Sequence, residues 1–317
     1  MNTSFAHLPL VRPNTPQSVL ECFERQLESV GLGNYILQAD EFGPKVKEPR
    51  LRRLTLSAHS SFVDDQNLKV GREASLNDVR FGRLKVVPEN AKSGDATELV
   101  AIKPYVMSRS PSALLREYAM TNYVNSIPGR RRSFAYLGLA RRVDGAYQGI
   151  TVFEESVRTY EDVLWATGKK AESTTEEQVS RAISDCVYSL GYLAGLGIYH
   201  GDTRPKNLAR DRKGIRFVDF EESYMLEHEN GLVHDSSENV ELIHEDIETF
   251  IDACVGLGDI DELVIRSFTR YSAAKSMRND YLRGMHDSGS DGKLTIPQKI
   301  YPTKRYFSEA LDSAIQK

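Results

Sequence analysis

Apolar residues recur with two different spacings along the chain, and the change of spacing divides it into two parts. Between residues 54 and 155, short runs rich in branched and aromatic residues predict strands, and an Asp144-Gly145 turn between the last two predicts a hairpin. One helix interrupts these strands, with Ser110 as its N-cap, Pro111 in its first turn and an end near Val124. The predicted strands are Val79–Val87, Leu99–Lys103, Phe134–Arg141 and Tyr147–Phe153.

Beyond residue 156 the apolar spacing becomes helical. Thr174 and Glu177 form a capping box, and an apolar stripe with helical spacing follows until Gly197. Two short strands come next, Asn207–Arg210 and Ile215–Asp219, and a later helix carries an apolar face that ends at Cys254. We therefore predict an α+β fold with a helical extension at 1–53, a strand-rich half at 54–155 and a mostly helical half with a helical tail at 156–317.

Composition and charge argue against a nucleic-acid partner, a cysteine metal site and a membrane span. The 317 residues carry a net charge of −4, which gives no reason to expect nucleic acid as the main partner. The three cysteines are widely separated and lack metal-ligand spacing, so we predict that they pack as small apolar residues. The sequence contains no secretory signal pattern and no apolar run long enough for a membrane span. We expect a cytoplasmic protein.

The polar residues around the predicted hairpin carry the chemical information. The stretch 199–207 reads Tyr-His-Gly-Asp-Thr-Arg-Pro-Lys-Asn, and 217–221 reads Phe-Val-Asp-Phe-Glu. Phosphoryl transfer needs a carboxylate that orients and deprotonates the attacking hydroxyl, and Asp202 fits that role. It also needs oxygen ligands that hold Mg²⁺ against the phosphates, and Asn207 and Asp219 fit that role.

This spacing of Asp, Asn and Asp-Phe resembles the catalytic and metal-binding loops of the protein-kinase superfamily. Val100-Ala101-Ile102-Lys103 is similar to the strand whose lysine contacts the nucleotide phosphates, and Glu117 is placed to pair with that lysine. The resemblance implies a bilobal protein-kinase-like fold. Its N-lobe, an antiparallel sheet with one helix, would be 54–155, and its mostly helical C-lobe would be 156–317.

Other positions match the family less closely. Gly71 and Ser75 lie where a nucleotide-covering loop is expected, in a segment that resembles the loop of RIO-type kinases. Glu154 and Glu155 lie where the hinge between the lobes would hold the adenine. The resemblance further implies that Asp246 anchors the catalytic loop. It also implies that His200 is structural and has no role in proton transfer.

Two substitutions separate the chain from most protein kinases. Gly201 stands in place of the arginine of His-Arg-Asp, and Glu221 stands in place of the glycine of Asp-Phe-Gly. Both forms are similar to aminoglycoside, choline and lipopolysaccharide-core phosphotransferases. They argue against control by phosphorylation of an activation loop.

The resemblance implies an enzyme that uses ATP, with GTP possible, and Mg²⁺ to phosphorylate a hydroxyl-bearing acceptor. A small molecule or a saccharide is favoured as the acceptor. The alternatives are an atypical protein Ser/Thr kinase, and a nucleotide-binding pseudokinase or nucleotidyl transferase with a regulatory role. The sequence leaves the acceptor, the preferred nucleotide and the oligomeric state open.

Overall fold

The structure is a computed structural model that describes part of the chain. The described residues are 61–64, 80–86, 96–105, 117, 120–121, 123–125, 127, 136–141, 147–152, 158–161, 176–211, 214–229, 232–258, 276–291 and 302–316. The helical extension predicted at 1–53 lies outside them.

A five-stranded antiparallel sheet forms the first half of the chain, with strand order β1-β2-β3-β5-β4. The four predicted strands are confirmed, with small changes at their ends. Lys103 lies in β3 opposite Gly149 of β5, and the pairing of β4 with β5 shifts register between Tyr136 and Gly138. The strands are β1 Ser61–Asp64, β2 Arg80–Val86, β3 Ala96–Tyr105, β4 Tyr136–Arg141 and β5 Tyr147–Val152.

Helical residues lie between β3 and β4, where the sequence predicts the single helix of this half. Glu117, Met120 and Val124 belong to this helix, which we call the Glu117 helix. Met120 and Val124 are fully buried and join the main apolar core. Because Glu117 lies one turn before Met120 on the same face, its carboxylate also points towards the interior, and it is 7% exposed.

Three small antiparallel sheets follow in the second half. The predicted hairpin is confirmed as β8 and β9, and β6 adds to it as a third strand. Strand β7 pairs with β10, and β11 pairs with β12. The strands are β6 Arg158–Thr159, β7 Ile198–Tyr199, β8 Leu208–Asp211, β9 Gly214–Phe217, β10 Tyr224–Met225, β11 His228–Glu229 and β12 Leu232–Val233.

Among the described residues of this half, four long helices supply most of the buried core. Helices α1 and α3 approach closely at Gly191 and Gly284, where an added Cβ would lie 2.0 Å from a backbone carbonyl oxygen of the facing helix. Cys186 and Cys254 are fully buried thiols, as their positions on apolar helix faces predict. The helices are α1 Glu176–Gly195, α2 Ser237–Gly258, α3 Ser276–Asp291 and α4 Lys304–Gln316.

The described residues therefore form a mixture of helices and antiparallel sheets, which agrees with the predicted α+β class. Within this part of the chain, no helix combines the length and the apolar composition that a membrane crossing requires.

Candidate functional site

The loop between β7 and β8, residues 200–207, carries two of the predicted site residues, Asp202 and Asn207. We call it the catalytic loop after the role that the sequence predicts for Asp202. Gly201 has a φ of +84°, a conformation that side chains with a Cβ rarely adopt. The loop ends in a 3-10 turn, Pro205–Asn207, which Pro205 favours because its fixed φ suits a helical start.

Asp246 of α2 holds the start of the catalytic loop. Its two carboxylate oxygens accept backbone hydrogen bonds from His200 at 2.8 Å and from Gly201 at 2.9 Å. Thr203 Oγ1 donates to the backbone oxygen of Asp246 at 2.5 Å. Burial raises the pKa of Asp246 to about 7, although the two backbone N–H groups favour the ionised form. This is the anchoring position that the kinase resemblance implies for Asp246.

His200 is fully buried and connects the catalytic loop to the chain after β9. Its Nδ1 accepts from the backbone N–H of Asp202 at 3.3 Å, and its Nε2 lies 3.2 Å from the backbone oxygen of Val218. This pair of contacts fits the tautomer with the proton on Nε2. Its ring packs against Phe220 at a centroid distance of 4.8 Å. Burial lowers the pKa of His200, which agrees with a neutral structural role.

Asp219 lies in the second loop of the site, residues 218–223, which we call the metal loop. The backbone N–H of Val218 donates to the backbone oxygen of Asn207 at 3.0 Å, so the two loops are hydrogen-bonded directly. Asp219 has a φ of +65° and is the one non-glycine residue with positive φ in the described part of the chain. A 3-10 turn, Phe220–Glu222, follows it.

Two carboxylates of the metal loop meet a third from a distant part of the chain. Ligand oxygens of Glu117, Asp219 and Glu221 all lie within 4.8 Å of one another. Glu117 and Glu221 are both less than 9% exposed. Carboxylates this close and this buried repel each other, so such a cluster favours a bound cation or a nearby basic group. The Glu117 helix thus reaches the metal loop, as the predicted site requires.

Asp202 is paired with Arg204, two residues later in the same loop. Arg204 Nε donates to Asp202 Oδ1 at 2.5 Å, and Arg204 Nη2 donates to Oδ2. Burial by itself raises the pKa of Asp202, but the hydrogen bonds and charge of Arg204, with a smaller contribution from Lys206, outweigh it and leave the pKa below its ordinary value. Asp202 is therefore ionised at neutral pH, as a proton acceptor must be.

Asn207 is 5% exposed, and its carboxamide has a defined orientation. Its Nδ2 donates to the backbone oxygen of Asp202 at 3.0 Å, so its other end presents an oxygen. The donor set of this region is thus a carboxamide oxygen and carboxylate oxygens. Mg²⁺ prefers such hard oxygen ligands, so the residues present fit the predicted metal.

The side chains of the remaining predicted site residues lie outside what the structure describes. Lys103 has a described backbone in β3, but its side chain lies outside what the structure describes. Gly71 and Ser75 of the predicted nucleotide loop, and Glu154 and Glu155 of the predicted hinge, also lie outside the described residues. Their assignment to nucleotide binding stays a prediction.

Two residues of the site were not predicted as functional. Glu221 is recognisable in the sequence only as a replacement of glycine, and its closeness to Glu117 depends on tertiary packing. Arg204 has a sequence signal, because a basic residue two positions after a loop aspartate can reach that aspartate.

The sequence matches no protein-family model and no curated protein.

Proposed function

We propose that the protein is an Mg²⁺- and ATP-dependent phosphotransferase with a bilobal protein-kinase-like fold. It would move a phosphoryl group to a hydroxyl of a small molecule or a saccharide. The observation that carries the proposal is the meeting of Glu117 with the metal loop, while the metal loop is hydrogen-bonded to the catalytic loop. Phosphoryl transfer needs these groups in one place, and they come from positions about 100 residues apart in sequence.

The order of elements supports the proposed lobes. In the described residues, a five-stranded sheet and the Glu117 helix come first, and helices with a small hairpin follow. The proposed catalytic and metal-binding residues flank that hairpin, and Asp246 of α2 holds the loop before it. These are the positions that the resemblance assigns, with 54–155 as the N-lobe and 156–317 as the C-lobe.

The proposal gives each predicted site residue a role. Asp202 accepts the proton of the acceptor hydroxyl, and its lowered pKa keeps it ionised for that purpose. Lys103, paired with Glu117, binds the nucleotide phosphates. Asn207 and Asp219 would hold Mg²⁺, which supplies positive charge against the triphosphate. Gly71, Ser75, Glu154 and Glu155 would complete the nucleotide site.

The chain after the metal loop favours a small acceptor over a protein. Helix α2 already begins at Ser237, so the connection from Glu222 is short. Asn239, which is fully buried, fixes this connection, because its side chain bonds both backbone groups of Glu227 and the backbone oxygen of His234. An extended peptide binds along a free strand edge or groove. Both backbone groups of Glu227 and the backbone oxygen of His234 are already bonded to Asn239, so this connection has fewer backbone groups available to pair with such a peptide.

The test is incubation of the full chain with Mg²⁺ and γ-labelled ATP, with mass spectrometry of the protein and of a metabolite extract. We expect label on a metabolite. Asp202→Asn should lower the rate by about 10²- to 10⁴-fold, and Asp219→Asn should abolish the metal-dependent rate while the fold is retained. Wild-type rates in either variant would refute the roles. Label on protein would favour the protein-kinase alternative, and an added nucleotidyl mass would favour nucleotidyl transfer.

A further inference from the structure

Arg204 covers the carboxylate that the proposed function uses as its base. Both oxygens of Asp202 accept hydrogen bonds from the Arg204 guanidinium. Asp202 retains 14% exposure of its side chain, whereas Arg204 retains 48%. Water and an acceptor hydroxyl therefore meet the guanidinium before they meet the carboxylate.

This pair differs from an ordinary surface ion pair. Exposed pairs contribute little because water competes for both groups. Here the carboxylate is mostly shielded and the guanidinium forms two bonds in a fork, which is the stronger geometry. The contact joins neighbouring residues of one loop, so it can open by rotation of the Arg204 side chain without movement of the backbone.

We propose that Arg204 is a positioning residue that keeps Asp202 closed to water until an acceptor displaces it. The proposal rests on the proposed function. In the unwanted reaction, the oxygen of water attacks the γ-phosphorus, the bond to the bridging oxygen breaks and ADP leaves with its electron pair. Asp202 takes the proton of that water. A carboxylate that is bonded twice to Arg204 has two of its four lone pairs occupied and is shielded from water, so Arg204 protects the nucleotide from hydrolysis.

The first test uses water as the only acceptor and measures phosphate release from Mg-ATP by the full chain. Arg204→Gln should raise kcat for hydrolysis about fivefold, with KM for ATP within about twofold of wild type. Arg204→Lys should give a smaller rise in kcat, because an ammonium keeps the charge but cannot donate two parallel hydrogen bonds to the carboxylate. Arg305→Gln is the matched control, since it removes a guanidinium that is bonded to a carboxylate outside the two loops, that of Glu309 on α4, and it should leave hydrolysis unchanged.

Two outcomes would overturn the proposal. One is a hydrolysis rate of Arg204→Gln that equals or falls below wild type. The other is a rise that persists when Asp202→Asn is added, because the effect would then not act through Asp202.

A second measurement needs no nucleotide and separates this proposal from the proposed function. A carbodiimide and an amine label accessible carboxylates, and peptide mass spectrometry reads the label on Asp202. Labelling should be several-fold faster in Arg204→Gln than in wild type or Arg305→Gln, and equal labelling would overturn the proposal. If labelling rises but Mg-ATP is neither hydrolysed nor able to raise the melting temperature, Arg204 covers Asp202 and the proposed function is what fails.

Discussion

Gly201 gives the sharpest test of the site's geometry, because its backbone leaves no place for a side chain. Its φ of +84° costs a residue with a Cβ on the order of 1–2 kcal/mol. A Cβ there would also lie 2.9 Å from both the Cβ and the backbone oxygen of Glu222. Relieving such overpacking costs about 1–3 kcal/mol. We therefore expect Gly201→Ala to lower the free energy of unfolding by about 2–5 kcal/mol.

The assay is urea denaturation followed by circular dichroism, and α2 offers a matched control. Gly256 has no heavy atom within 4 Å of an added Cβ. Because it lies within α2, Gly256→Ala should be neutral or should stabilise by up to about 1 kcal/mol. Gly201→Arg restores the His-Arg-Asp form and should be at least as destabilising as Gly201→Ala. Equal stability of Gly201→Ala and Gly256→Ala would refute the reasoning.

Three further substitutions test the surroundings of the site. Asp246→Asn leaves one acceptor oxygen for two backbone N–H groups and should lower the free energy of unfolding by about 1–3 kcal/mol. Hydrogen exchange at His200 and Gly201 should become faster, and unchanged exchange would contradict the anchoring role. Burial lowers the pKa of His228 to about 4, so the unfolded state binds the proton first as the pH falls from about 6.5. The free energy of unfolding should therefore drop by about 3 kcal/mol between pH 6.5 and 4, and His228→Leu should flatten this dependence in urea denaturation. A pH profile of His228→Leu like that of wild type would contradict the assignment to His228. Gly284→Ala places a Cβ 2.0 Å from the backbone oxygen of Tyr188 and should lower the melting temperature by several degrees. An unchanged melting temperature would mean that α1 and α3 are not packed this closely.

Elements with a long, regular apolar pattern were predictable from the sequence. The helix predicted between Thr174 and Gly197 spans Glu176–Gly195, and the hairpin after the catalytic loop has nearly the predicted bounds. The helix has 20 residues, enough repeats to separate a period of 3.6 from a period of 2. The hairpin strands have four residues each, and the turn residues Asp211 to Gly214 between them were the signal that predicted them.

Short elements and tertiary contacts were not predictable. Strands β7 and β10 have two residues each, so neither contains a full alternation of apolar and polar positions. Their pairing depends on the close approach of Gly197 to Leu226, whose backbone N–H donates to the Gly197 oxygen at 2.8 Å. Asn239 likewise resembles any polar residue in the first turn of a helix, although it is fully buried and fixes the chain before α2.

The backbone conformation of Asp219 depends on contacts between the catalytic loop and the metal loop. A positive φ costs a non-glycine residue on the order of 1 kcal/mol, and aspartate tolerates it better than most residues. The conformation persists because its neighbours are held from the catalytic loop. Val218 is bonded to Asn207 through its N–H and to His200 through its oxygen, and the ring of Phe220 packs against His200. The backbone of Asp219 is thus held by the loop that carries Asp202, and a change that displaces His200 should disturb the proposed roles of both residues together.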